Sequence, residues 1–189
     1  MRTGLSGSLG ETPLLFTFRT SGEGGEKEID VPAYVSLNES AARSGMADLV
    51  DVEAFTESGA AEKIIEEAHS AGVRVIASNH DFYKTPSREE IISRLVKMQD
   101  MGADIAKIAV MPQSRKDVLT LLAATEEMVS GHAQIPVITM SMGALGAISR
   151  VCGEVFGSAV TFGAVGRGSA PGQLGAGELG TVLSILHNR

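Results

Sequence analysis

The sequence contains a single cysteine, Cys152, among 189 residues. One thiol cannot form an intramolecular disulfide or supply a cysteine cluster for zinc, which favours a reducing compartment and predicts a cytoplasmic protein. The position of Cys152 within a helical pattern indicates packing rather than nucleophilic catalysis. No group of residues has the spacing of metal ligands, so we expect no metal site.

Long apolar runs and basic clusters are also missing. No run approaches the roughly 18 residues that a membrane-spanning helix needs, and the opening MRTGLSGSLGE has no apolar core of the signal-peptide kind. Lys and Arg number 16 against 23 Asp and Glu, a net charge of -7, and the basic residues are scattered. These features predict neither a membrane nor a nucleic-acid partner. P-loop and G-x-G-x-x-G motifs are absent, so the expected ligand is another kind of small molecule.

What is present is an alternation of apolar and amphipathic segments, which predicts one domain over 1–189 with an irregular lead-in at 1–12. Six apolar runs are predicted as strands: 13–19, 47–55, 73–79, 103–111, 135–142 and 159–165. Helical patterns lie between them, with Ser87 and Ser114 as expected N-caps and Gly72 and Gly102 as expected C-terminal stops. Apolar strands alternating with helices indicate a parallel sheet covered by helices.

Two architectures accept six βα units: an open doubly wound sheet and a (β/α)8 barrel that lacks some units. Polar or pocket-forming residues fall in or just after successive strands, namely Arg19, Glu53, His80, Lys107, Met140 with Met142, and the loop after Val165. A barrel collects side chains from many strand ends, whereas an open sheet uses one switch point. The pattern therefore favours an α/β fold of the incomplete (β/α)8, TIM-barrel-like class.

Lys107 lies inside the apolar run ADIAKIAVM, which reads as a buried strand. An unpaired buried ammonium tends to lose its proton, and the neutral amine can attack a carbonyl to form an imine. The alternative is that Lys107 reaches solvent at a strand end or pairs with Asp104. His80 ends the preceding strand in SNHDF and is a candidate general acid and base, or else a hydrogen-bonded structural histidine like His69, His132 and His187.

Three further segments carry candidate binding residues. Arg19 is followed by the glycine-rich turn TSGEGGE, in which Glu23 or Glu26 could orient a histidine or form a solvated acidic loop. Arg150 in GAISR is expected near the start of a helix, where it could hold a carboxylate, or else form a surface salt bridge. The polar loop over 163–177, hereafter the lid loop, is long enough to close over a ligand.

From PLLFTFR at residue 13 to the C-terminus, the chain resembles the type I 3-dehydroquinate dehydratases. The resemblance rests on PLLFTFR followed by EGGE, and on SNHDFYKTP, MGADIAKIAVMP, ITMSM, AISR, GEVFGSAVTFGAV and SAPGQ, in that order and at fitting spacing. It implies a (β/α)8-type scaffold and a cofactor-free dehydration of 3-dehydroquinate to 3-dehydroshikimate.

The resemblance also implies roles for individual residues. Lys107 matches the lysine that forms the Schiff base, His80 the general acid and base, and Glu23 the carboxylate that positions the histidine. The expected substrate-binding residues are Arg150 for the carboxylate, Arg19 for hydroxyl groups, Ser169 and Gln173 in the lid loop, and Met140, Met142 and Phe162 as the apolar wall.

The family has two more βα units before PLLFTFR, which carry a serine and a Glu-x-Arg pair that help to hold the substrate. We therefore expect weakened orientation of the substrate, and exposed strand edges at 13–19 and 159–165 that predict a homo-oligomer, most simply a dimer. Two alternatives to a dehydratase remain open. One is a non-catalytic relative that binds a small carboxylate or acts as an interaction protein, and the other is a class I aldolase-like lyase that uses the same lysine.

Overall fold

The computed structural model describes residues 10–57 and 59–187, so most of the predicted lead-in at 1–12 lies outside the described residues. The strands are β1 Leu15–Thr17, β2 Leu49–Glu53, β3 Arg74–Asp81, β4 Ile105–Val110 and β5 Val137–Ser141. The helices are α1 Val31–Arg43, α2 Ala60–Ser70, α3 Arg88–Asp100, α4 Arg115–Gly131, α5 Gly143–Cys152 and α6 Ala176–His187, with 3-10 turns at Ser21–Glu23 and Gly153–Phe156. In this part of the chain, no helix combines the length and apolar character needed to cross a membrane.

The strands follow one another in chain order across the sheet, β1-β2-β3-β4-β5. β1 pairs with β2 in parallel, and β2 pairs with β3 in parallel, with Glu53 opposite Ser78. Parallel neighbours joined by helices require crossover connections, which the alternation of apolar and amphipathic segments predicts. The predicted α/β class is therefore confirmed.

The sixth predicted strand, 159–165, does not form a ladder. Ala159 N donates to Val137 O at 2.8 Å, a single backbone hydrogen bond to β5. Ala164 instead uses its backbone at the base of the lid loop, where Ala164 N donates to Leu174 O at 2.8 Å and Ala176 N donates to Ala164 O at 2.9 Å. Because those groups are occupied within the loop, the described part of the chain has five strands rather than six.

The helix ends follow the predicted signals. Ser114 accepts from Asp117 N in a capping box at the start of α4, and Ser87 Oγ accepts from Glu90 N at 3.2 Å at the start of α3. Gly72 and Gly102 follow α2 and α3 with φ values of 75° and 88°, the left-handed geometry that glycine adopts without strain. Local sequence therefore fixes where these helices begin and end.

The chain packs as two compact units, the first Met1–Asn79 with Lys97–Ala106 and the second His80–Val96 with Lys107–Arg189. In the first, α1 and α2 cover β2, and the core includes Tyr34, Val52 and Ile64. In the second, α4 and α5 pack on β5. Fully buried apolar side chains of that unit include Leu121, Met128 and Ile138. A single domain over 1–189 stays a prediction.

Candidate active site

The predicted site residues divide between the two units. Arg19 and Glu23 belong to the first unit, and the others belong to the second: His80, Lys107, Met140, Met142, Arg150, Phe162, Ser169 and Gln173.

In the first unit, Arg19 lies just beyond β1 against three carboxylates. Its Nη2 is 2.5 Å from Asp51 Oδ1, and its Nη1 is 3.1 Å from Glu53 Oε1 and 3.5 Å from Glu23 Oε2. Nη1 also donates to Ser78 Oγ at 3.1 Å. Asp51 and Glu53 are i and i+2 on β2, so their side chains lie on one face while Val50 and Val52 enter the core on the other.

This charge arrangement keeps Arg19 protonated. Burial lowers the pKa of the guanidinium, but the charge and hydrogen bond of Asp51, with the charges of Glu53 and Glu23, outweigh burial and raise it overall. Asp51 is fully buried and also accepts from Ser78 Oγ at 2.6 Å. The first unit thus presents a fixed cation at the carboxyl end of β1, surrounded by acceptors.

Glu53 joins this cluster to the hydrophobic core. Its carboxylate accepts from Thr20 N and Thr20 Oγ1, both at 2.8 Å. Its backbone N donates to the hydroxyl of Tyr34 at 2.9 Å, and Tyr34 is 2% exposed. Burial raises the pKa of Tyr34, so its hydroxyl stays neutral. Glu53 therefore fixes the point where β1 turns into the glycine-rich loop.

Glu23, rather than Glu26, lies at this polar edge. Its Oε1 accepts from Asn79 Nδ2 at 2.9 Å, and Asn79 immediately precedes His80 in β3, whereas Glu26 is exposed. The loop turns back so closely that a Cβ on Gly25 would lie 1.9 Å from Arg19 O. Only glycine fits there, because the obstructing atom is backbone.

In the second unit, Lys107 is 7% exposed in β4, so it does not reach solvent in the way the alternative reading required. Its Nζ lies over the Phe162 ring, 4.8 Å from the ring centre, within the range of a cation–π interaction. His80, near the end of β3, is half-buried, and Met140 and Met142 are buried. The ring of Phe162 thus contacts the nitrogen expected to react.

The expected position of Arg150 near the start of a helix is wrong. It lies in the last turn of α5, not near its start, so the amino-terminal helix dipole does not act with the guanidinium. Arg150 is 2% exposed, which excludes a surface salt bridge. Its Nη1 donates to Met140 Sδ at 3.6 Å and its Nη2 to Pro171 O at 3.3 Å.

The guanidinium of Arg150 has an unmatched charge. In the described ranges, no carboxylate forms an ion pair with it and its Nε has no hydrogen-bond partner. Burial lowers the pKa of Arg150, as expected for a cation removed from water without a counter-charge. A buried cation of this kind suits an anionic ligand such as a carboxylate.

The two expected binding residues of the lid loop contact each other. Gln173 Oε1 accepts from Ser169 N at 2.8 Å and from Ser169 Oγ at 3.2 Å. Cys152 is half-buried at the end of α5, and burial raises the pKa of its thiol, in keeping with a packing role. Across residues 10–57 and 59–187, no three His, Cys, Asp or Glu side chains group as metal ligands do.

Sequence reasoning missed several members of these clusters: Asp51, Ser78, Asn79, Tyr34 and Pro171. A signal existed for Asp51, since LVDVE places two carboxylates at i and i+2 within a buried strand. The carbonyl of Pro171 and the hydroxyl of Tyr34 act through contacts distant in sequence, which no local pattern reports.

Comparison with known proteins gives one consistent result. The model of the type I 3-dehydroquinase family matches residues 3–189. A 3-dehydroquinate dehydratase of Klebsiella pneumoniae (strain 342) is 57% identical over 182 residues, which cover 96% of this chain and 72% of the relative. One of Bacillus licheniformis is 55% identical over 183 residues, covering 97% and 72%.

A solved structure agrees in fold. The type I 3-dehydroquinate dehydratase of Clostridium difficile, solved with covalently modified comenic acid, aligns with a TM-score of 0.93 and 54% identity, covering 97% of this chain and 72% of that chain. This confirms the predicted incomplete TIM-barrel-like class. The chain belongs to the type I 3-dehydroquinase family.

Proposed function

We propose that this chain is a Schiff-base lyase that dehydrates 3-dehydroquinate to 3-dehydroshikimate, without a cofactor. The observation that carries the proposal is the presence of two buried basic side chains in one unit: Lys107, an amine under an aromatic ring, and Arg150, a guanidinium with no carboxylate partner among the described residues. A substrate with a ketone and a carboxylate matches both. Close relatives named 3-dehydroquinate dehydratase support this substrate.

The chemistry begins at Lys107. The unprotonated form of its amine attacks the ketone carbon, the carbonyl oxygen leaves as water, and a protonated imine remains. The imine then accepts the electron pair of the neighbouring C–H bond when a base removes that proton. Return of those electrons expels the hydroxyl group as a second water, and hydrolysis of the imine consumes one water and regenerates the lysine. The net change is loss of one water from the substrate.

His80 is proposed as the group that moves these protons, because a neutral imidazole accepts a proton and the imidazolium donates it to the departing hydroxyl. Glu23 is proposed to position it through β3, since Glu23 Oε1 accepts from Asn79 Nδ2 and Asn79 immediately precedes His80 in that strand. Arg19 is proposed to bind hydroxyl groups, with Asp51, Glu53 and Ser78 fixing its orientation.

The test is to trap the imine. The protein is incubated with 3-dehydroquinate, reduced with borohydride and examined by peptide mass spectrometry, while turnover is followed by the ultraviolet absorbance of the conjugated product. Lys97 is a matched control, because its Nζ also lies over an aromatic ring, 5.7 Å from the centre of Phe55, but its side chain is exposed. We expect an adduct on Lys107 and none on Lys97, and loss of turnover in K107M but not in K97M.

Each outcome decides between the candidate functions. Absence of an adduct with folded protein and excess substrate contradicts the imine mechanism for this substrate. An adduct without turnover supports the carboxylate-binding relative, which the unmatched charge of Arg150 also favours. An adduct with a different small ketone, but not with 3-dehydroquinate, supports an aldolase-like lyase.

Self-association is a further part of the proposal. β1 is the terminal strand of the described sheet, and an exposed strand edge favours pairing with another chain. We expect a homodimer in the cytoplasm. Sedimentation velocity showing a monomer at micromolar concentration would contradict the dimer.

A further inference from the structure

Backbone atoms of the lid loop contact the start of α5. Gly143 N donates to Pro171 O at 3.0 Å. A Cβ added to Gly172 would lie 2.2 Å from Gly143 O, 2.6 Å from Gly143 C and 3.0 Å from Gly143 N. Because these obstructing atoms are backbone, no side-chain rotation relieves the clash. The contact therefore requires glycine at position 172.

The same carbonyl also contacts the buried cation. Pro171 O accepts from Arg150 Nη2 at 3.3 Å as well as from Gly143 N. The other described polar contact of the guanidinium is Met140 Sδ, a weak acceptor. No carboxylate in the described residues forms an ion pair with Arg150. Pro171 O is thus the strongest acceptor recorded for Arg150.

The backbone contact at Pro171 and Gly172 differs from the contacts made by the side chains of the lid loop. Ser169 and Gln173 are bonded to each other, and Ser169 is exposed, so their contacts with a ligand require rearrangement. The backbone contact at Pro171 and Gly172 is already formed. The lid loop therefore has a docked base that does not depend on its side chains.

We propose that the Pro171 carbonyl, brought against α5 by Gly172, is a positioning group for Arg150, so that docking of the lid loop and orientation of the carboxylate-binding guanidinium are one event. With Nη2 held by the lid loop and Nη1 beside Met140 Sδ, the proposed donor to the ligand carboxylate is Nε, which has no hydrogen-bond partner among the described residues. This inference rests on the proposed role of Arg150 but not on imine formation at Lys107. A lid loop that cannot dock leaves Arg150 free to rotate, and the gain from binding a carboxylate falls.

The experiment compares G172A with G166A. Gly172 and Gly166 both lie in the lid loop with left-handed φ values of 72° and 80°, so alanine introduces similar backbone strain at each. A Cβ at Gly166 meets no heavy atom within 4 Å, whereas at Gly172 it meets Gly143. Comparing the two variants therefore separates the effect of losing the docking contact from the effect of backbone strain.

Two ligands isolate the part played by Arg150: a polyhydroxylated cyclohexane carboxylate that lacks the ketone, and its carboxamide. Loss of a well-oriented charged hydrogen bond typically weakens binding by about tenfold or more. By calorimetry, we expect G172A to reduce the carboxylate-over-carboxamide preference about tenfold. We expect G166A to weaken both ligands alike, by less than about twofold. If G172A only loosens the structure, the affinities for carboxylate and carboxamide fall together and their ratio is unchanged.

Hydrogen exchange of the Gly143 amide gives a second readout in the ligand-free protein. We expect faster exchange in G172A and wild-type exchange in G166A. If G172A does not fold, the wild type decides: the carboxylate should slow exchange at Gly143, and the carboxamide should not. Equal carboxylate preference in the two variants, or equal protection of wild-type Gly143 by the two ligands, overturns the inference. Neither ligand forms an imine, so failure of the borohydride test on Lys107 is a separate result.

Discussion

Replacing Asp51 with asparagine removes one charge from the buried Arg19 cluster while keeping the side-chain shape. Breaking a buried ion pair from one side costs about 3–5 kcal/mol, because the remaining charge is left in a poorly solvated site. Here Glu53 and Glu23 remain 3.1 and 3.5 Å from Arg19 Nη1. They compensate part of the loss, so we expect a destabilisation near the lower end, about 3 kcal/mol.

Urea unfolding followed by circular dichroism measures this change. With a urea dependence of about 2 kcal/mol per molar, the D51N midpoint should fall by about 1.5 M. The matched control is E90Q, which removes the carboxylate of the Arg94–Glu90 pair on α3, an i,i+4 pair with 24% and 50% side-chain exposure. Exposed pairs contribute about 0.5 kcal/mol or less, so E90Q should move the midpoint little. A D51N shift no larger than that of E90Q would refute the claim that buried charge pairing holds Arg19.

Three further predictions test other contacts. F162L should lower the yield of the trapped Lys107 adduct by about two- to thirtyfold, because the protonated imine loses a cation–π contribution of about 0.5–2 kcal/mol, while F162Y retains it, as measured by quantitative mass spectrometry. R150M should raise the KM for 3-dehydroquinate at least tenfold in a steady-state assay, whereas a ketone without a carboxylate should label Lys107 equally in both proteins. Y34F should destabilise the fold by about 1–3 kcal/mol in urea, because Glu53 N loses its acceptor. Because burial raises the pKa of Tyr34, the unfolded chain loses the phenolic proton first, and wild-type stability should fall above about pH 10 more steeply than that of Y34F.

The sequence predicts those features that depend on local pattern. Five of the six apolar runs form strands, and the caps at Ser87 and Ser114 act as expected. The run at 159–165 deviates because Ala164 bonds within the lid loop. Its composition matches that of a strand, and only the tertiary position of the loop decides where its backbone groups pair.

The sequence predicts at which strand ends the site residues lie, but it does not predict which residues contact them. Lys107 is buried as its apolar surroundings indicate, since burial follows from the strand itself. The position of Arg150 within α5 was predicted wrongly, because the glycines around it gave no clear helix start. Arg19 forms ion pairs with Asp51, Glu53 and Glu23, which are 4 to 34 positions away in sequence. Hydrophobic periodicity contains no information about such pairs.

The hydroxyl of Tyr34 links the hydrophobic core of the first unit to the glycine-rich turn. The ring of Tyr34 packs in the core and meets Phe18 edge to face at 6.4 Å, while its oxygen accepts from the backbone of Glu53, whose carboxylate holds Thr20. A repacking of this core chosen for heat resistance alone would therefore also alter the entrance to the glycine-rich turn. Thermostability and substrate selectivity should vary together in libraries that include position 34, and separately in libraries that leave it unchanged.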